Sequence, residues 1–218
     1  PFLYLLNWLY GLIGNMGVAI LVFATLIRLA LLPIATKSYE SMARMRKVQP
    51  KMVELQKRFK DDRQRLQIEM MNLYKREKVN PMAGCLPLLL QIPVFYALYK
   101  VLSVAINMRQ APFFGWITDL SVPDPASVFT AFGYLDWPIP AIINIGVWPV
   151  LMGITMYIQQ KLSPAPTDPT QAKVMKWLPI IFTFMLGGFA AGLVIYWTWS
   201  NLLSILQQKY IMRKVGVK

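Results

Sequence analysis

One arginine stands inside an apolar run. Residues 16–35 read MGVAILVFATLIRLALLPIA, and Arg28 is the only charge among them. A guanidinium carries five donors and stays charged in any protein environment, so it needs a carboxylate, water or neutral acceptors. No Asp or Glu lies in any apolar run of this chain. The available partners are neutral: Thr25 one turn earlier on the same helical face, Gln91 in the second run, Gln159 and Gln160 closing the third, and Ser200, Asn201 and Ser204 in the last. Each alone would serve as glue between helices. Beside an arginine without a carboxylate, they imply a hydrated, positive cavity that attracts an acidic segment. A groove for polypeptide fits that description, and so does the pathway of an anion channel or transporter.

Bond-making chemistry has little to work with. The chain has no histidine, which removes Ser-His and Cys-His pairs, His-ligated metals and His proton relays. Its single cysteine, Cys85, forms no intrachain disulfide and no CxxC site, and reads as a small packing residue. No enzyme, cofactor or metal site is expected.

The elements that must position these residues follow from composition. Of 218 residues, 56% are hydrophobic and 15% charged, with a net charge of +13. A soluble domain carries about 25% charged residues. A nucleic-acid module reaches such a net charge by being rich in charge, which this chain is not, so no DNA partner is expected. The class is an all-α integral membrane protein. Residues 1–15 are apolar and aromatic but too short to span, and predict an interfacial helix. Membrane spans are expected at 16–36, 82–106, 139–160, 174–190 and 192–208, the last two divided by Gly187, Gly188 and Gly192. A loop at 107–138, a Pro-rich connector at 161–173 and a basic tail at 209–218 join or follow them. Pro1 stands where Met is expected, so the chain is read as starting inside a longer protein.

Charge orients these spans. The polar stretch 37–80 holds 13 Lys and Arg, the connector region adds Lys161, Lys173 and Lys176, and the tail adds Lys209, Arg213, Lys214 and Lys218. The 107–138 loop has Arg109 against Asp119, Asp124 and Asp136. Five spans put every basic segment on one side, with the N-terminus outside and the C-terminus in the cytoplasm. Four or six would split them.

The 37–80 stretch predicts an antiparallel helical hairpin. Tyr39, Met42, Met45, Val48, Met52, Leu55 and Phe59 form one stripe, which Pro50 should kink or divide. Asp61 and Asp62 supply a turn and an N-cap, and Leu66, Met70 and Leu73 line the second helix. Flexible methionines (Met42, Met45, Met52, Met70, Met71) suit a surface for varied apolar partners or simply the seam between two helices. Arg44 and Arg46 face solvent, lipid headgroups or RNA.

Arg28 lies nine residues before Lys37, roughly 13 Å below the cytoplasmic end of a straight helix at ~1.5 Å per residue. At such depth an arginine costs about 2.5–3.5 kcal/mol by insertion scales, unless it snorkels. Prolines 87, 93, 149 and 179 bend helices and free carbonyls around a cavity.

The run ending in Arg28 and Pro33, then MARMRKVQPKM (42–52), KVNPMAGCLPLLLQIPVFYALY (78–99), RQAPFFGWITDLS (109–121) and GLVIYWTWSNLLSILQQ (192–208), resembles the YidC-type membrane protein insertases in the family's order. Mitochondrial Oxa-type and chloroplast Alb-type proteins are relatives, and proteobacterial members look most similar. The resemblance implies a five-helix core in the bacterial inner membrane, with a lipid-exposed hydrophilic groove and a cytoplasmic hairpin. It implies insertion of nascent membrane proteins as a monomer, alone or as a chaperone beside the Sec translocon. It assigns Arg28 to the groove, Gln91, Tyr196 and Trp197 to helices flanking the client, and Lys209, Arg213, Lys214 and Lys218 to ribosome contact. It also implies a preceding span and a large periplasmic domain. Phe189-Ala190-Ala191-Gly192 departs from the family's F-P-x-G turn by lacking its proline.

Overall fold

The structure, a computed structural model, describes residues 2–80, 86–104, 110–127, 144–164 and 169–216. Cys85, Arg109, Asp136 and Lys218 lie outside the described residues, as do parts of the expected loop and connector. The described chain is all-α. Eight helices follow in order: α1 (Phe2–Ile13), α2 (Met16–Ala30), α3 (Leu32–Arg58), α4 (Arg63–Arg76), α5 (Leu86–Val104), α6 (Val147–Leu162), α7 (Pro169–Leu186) and α8 (Ala191–Val215).

The expected span 16–36 is not one helix. α2 stops at Ala30 and α3 leaves at 69°. Pro33, in the first turn of α3, has no N–H to donate, and its ring crowds the carbonyl four residues back. The straight-helix depth of Arg28 is therefore corrected: Arg28 lies in the last turn of α2, three residues before the bend at Leu31. Among the described residues no single helix is long and apolar enough to cross a membrane, and only the bent α2–α3 pair passes together.

α8 is the axis of the bundle. Fourteen of its 25 residues are buried, among them all six from Ala191 to Tyr196, while farther along burial narrows to one face and Leu202, Leu206 and Tyr210 stay exposed. It packs against α2, α3, α5 and α6. Its start is held by the outer loop: Ala191 N–H donates to Val122 O (2.7 Å) and Gly192 N–H to Leu120 O (2.9 Å). Two orphan donors of a helix N-terminus are met this way. Gly192 eases that contact, since a Cβ would lie 3.2 Å from Leu120 O and from Leu102 Cδ2, a tight approach. The loop itself is pinned by Asp124, whose carboxylate accepts from Trp148 N–H in the first turn of α6 (2.8 Å), Ala126 N–H (3.0 Å) and Trp116 Nε1–H (2.9 Å).

α1 lies against α2, burying Leu6 and Leu9 and setting the Phe2 ring edge-on to Phe23, while Tyr4 and Trp8 stay exposed. α3 and α4 form the hairpin. Pro50 does not divide α3, which runs unbroken to Arg58. Asp62 caps α4 by accepting from Arg65 N–H at 3.0 Å. Val48, Met52, Met70, Leu73 and Val79 make a small core of their own. The basic tail is largely helical, because α8 continues to Val215 before Gly216 closes it in the left-handed conformation (φ 71°). Ile211 packs with Ala35, Tyr39 and Met42 of α3.

Candidate functional site: an arginine cleft between the helices

A cleft of about 200 Å³ opens between the ends of α2, α3, α5, α6, α7 and α8. At ~30 Å³ per water it has room for about six. Of the residues singled out by sequence, Arg28, Gln91, Gln159, Gln160, Trp197, Ser200, Asn201 and Ser204 all line it. No carboxylate does, and no carboxylate pairs with Arg28 among the described residues.

The guanidinium is held by two neutral hydroxyls on two helices. Arg28 Nη2 donates to Tyr39 Oη at 2.8 Å and to Ser204 Oγ. The Ser204 hydroxyl donates its own hydrogen bond to Ser200 O (2.8 Å), which leaves its oxygen free to accept. The buried Nε has no partner among the described residues. One face of the cation is thus fixed while donor capacity remains for an incoming anion.

The opposite wall is a second polar pair. Gln91 Nε2 donates to Tyr196 Oη at 2.8 Å, tying α5 to α8. Tyr196 itself is buried (1% exposed) and stands behind the wall, not on it. Trp197 is in the lining, wedged edge-on between Phe95 and Phe182. Where α6 ends and α7 begins, Gln160 Nε2 donates to Met175 O, and Gln208 Nε2 to Leu162 O at 3.0 Å. Gln208 Oε1 is buried and has no described partner.

Thr25 is not part of the lining. Its hydroxyl donates to Leu21 O (2.8 Å) and accepts from Trp199 Nε1–H (3.0 Å), so it pins α2 to α8. Tyr39 and Gln208 line the cleft without standing out in the sequence: Tyr39 belongs to the apolar stripe of α3, and Gln208 ends the last apolar run beside the basic tail. The available signal was that a buried tyrosine hydroxyl needs a partner.

The hairpin methionines are internal here except Met71, which is exposed. Met52 and Met70 fill the α3–α4 seam, Met42 packs against α8, and Met45 is also buried. Arg44 is exposed, and Arg46 Nη1 lies 3.9 Å from Met212 Sδ. Lys209, Arg213 and Lys214 are exposed on the last turns of α8. Lys47 Nζ donates to Val215 O (2.6 Å), capping that end from α3.

Known proteins resemble this chain in sequence and in fold. Over all 218 residues the chain is 58% identical to "Membrane protein insertase YidC" of Brucella suis biovar 1 (strain 1330) and 56% identical to the protein of that name from Rhizobium meliloti (strain 1021). It spans about a third of those relatives, 36% and 37% of their lengths. Among solved structures, "Active YidC insertase crystal structure with the first transmembrane domain resolved" superposes with a TM-score of 0.69 at 26% identity, over 94% of this chain and 44% of that one. The profile of the family described as "60Kd inner membrane protein" matches residues 8–218, and the chain belongs to that family.

Proposed function

We propose that this chain is the membrane-embedded core of an insertase, which receives a nascent transmembrane segment at the Arg28 cleft and passes it into lipid. The observation that carries the reading is a guanidinium held by Tyr39 and Ser204 in a cleft with no carboxylate among its described lining residues. Such a site attracts the acidic flank of an apolar helix and, being hydrated, releases it again. The names of the relatives support the same activity.

Two apolar faces support the path into lipid. On α5, Leu89, Ile92 and Tyr96 are exposed, and on α7 Trp177, Ile181, Phe184 and Met185 are exposed. Exposed apolar surface of this extent is not left in water. In this reading α2, α5, α6, α7 and α8 cross the inner membrane, α1 lies on its outer surface, and the hairpin and the end of α8 face the cytoplasm. The segment slides along α5 and α8, and apolar burial at ~25 cal/mol per Å² drives it into the bilayer. Arg44, Arg46 and the lysines of the α8 end then face the ribosome, and the Sec translocon is a partner for some clients.

The test is photocrosslinking from positions 28, 91 and 197 to a stalled nascent chain in membranes. Crosslinks from all three are expected. Ion flux through the purified protein, with no crosslinks, would replace this reading by an anion pathway.

A further inference from the structure

We infer that the outer groove between α6 and α7 seats one acyl chain of an anionic phospholipid, with its phosphate held by Lys161 and Lys176. The inference goes beyond client insertion and rests only on the groove facing lipid, as in the reading above. The groove encloses about 510 Å³. Gly153 and Ile154 of α6 and Pro179, Ile180 and Thr183 of α7 line its length. The helices touch at its floor, where a Cβ on Gly153 would collide with Thr183 Oγ1. That hydroxyl donates to Pro179 O at 2.7 Å, so it is already satisfied and the floor is effectively apolar.

One end of the groove is different. Tyr157, Lys176 and Trp177 line it, and Lys161 Nζ lies 4.7 Å from the Tyr157 ring centroid. Both lysines are exposed, and no carboxylate lines the groove among the described residues. Aromatic rings beside lysines mark the headgroup layer of a bilayer. An apolar slot with a basic, aromatic mouth therefore has the polarity of a phospholipid lying along it.

The experiment adds phosphatidylglycerol or phosphatidylcholine of identical chains to the full purified chain in mild detergent, and reads retained lipid by native mass spectrometry and protection by thermal shift. Phosphatidylglycerol is expected to bind in preference at one equivalent. A juxtamembrane lysine is worth about fivefold, so K161Q/K176Q is expected to weaken that binding by about twentyfold and leave phosphatidylcholine unchanged. Ile154→Trp, which fills the slot, is expected to expel both lipids while circular dichroism shows the same helix content. Equal binding of the two lipids, indifference to either variant, or equal protection by glycerol 3-phosphate without tails would overturn the inference. Client insertion is scored separately, so its loss with lipid retention intact counts against the Arg28 mechanism and not against this site.

Discussion

Tyr39 accepts a hydrogen bond from Arg28 at 2.8 Å across the 69° bend between α2 and α3. The bend is what makes the contact possible, because in one straight helix residues 11 positions apart stand roughly 16 Å apart along the axis. The proline that interrupts the span thus turns the hairpin's first helix into a wall of the arginine cleft. Tyr39→Phe keeps the buried ring and deletes the acceptor. Hydrogen bonds to charged groups are worth about 1.5–3 kcal/mol, and Arg28 is only partly buried, so a loss of about 1–2 kcal/mol is expected. Thermal unfolding in detergent measures it, and an unchanged midpoint would show that the cation relaxes onto water at no cost.

Arg28 is expected to act through its charge more than its shape. Arg28→Lys retains a cation within reach of Ser204 and should keep most insertion of clients with acidic flanks. Arg28→Glu reverses the attraction and should lower it at least about tenfold, the equivalent of ~1.4 kcal/mol. Clients with neutral flanks should be less affected. Reconstituted vesicles with matched acidic and neutral clients measure both, and equal insertion by Arg28→Glu would remove the electrostatic step.

Much of this site was legible in the sequence because buried polar residues are conspicuous in apolar runs. Arg28, Gln91, Ser200, Asn201 and Ser204 stood out by type alone, and the structure gathers them in one cleft. The all-α class was legible for the same reason. The bend at Leu31 was not, because hydropathy is continuous through Pro33 and records no direction. Tyr39 was hidden by its own amphipathic nature, apolar in its ring and polar at its tip. The helical end of α8 was hidden too: residues 209–218 read as a charged tail, yet Ile211 and Met212 are buried against α3. Charge counts describe the exposed face of such a segment and miss the buried one.

The hairpin is expected to owe its stability to its methionine seam and little to its ion pair. Lys51 and Glu77 meet at 2.5 Å, but their side chains are 62% and 29% exposed. Pairs of that kind are worth about 0–1 kcal/mol. Met52 is buried between α3 and α4, and truncating such a side chain costs about 2–5 kcal/mol. Hydrogen exchange in α4 should therefore accelerate strongly in Met52→Ala and barely in Lys51→Gln. The reverse order would mean that charge holds the hairpin closed.

Ala190 occupies a position whose backbone is already shaped for proline. Its φ is −51° and its ψ is 131°, within the range that a pyrrolidine ring allows. It stands at the N-cap of α8, where an N–H is not used by the helix, and its N–H donates to no described backbone acceptor. Proline there removes conformations from the unfolded chain without taking a bond from the folded one. Substitutions of this kind stabilise by about 0.4–1 kcal/mol. The neighbouring anchors, Ala191 N–H on Val122 O and Gly192 N–H on Leu120 O, should be retained, because both belong to later residues. Ala190→Pro is therefore expected to raise the unfolding midpoint modestly and to slow hydrogen exchange at Ala191 and Gly192. A lowered midpoint would show that Phe189, which a following proline confines to extended conformations, cannot adopt one at the end of its turn.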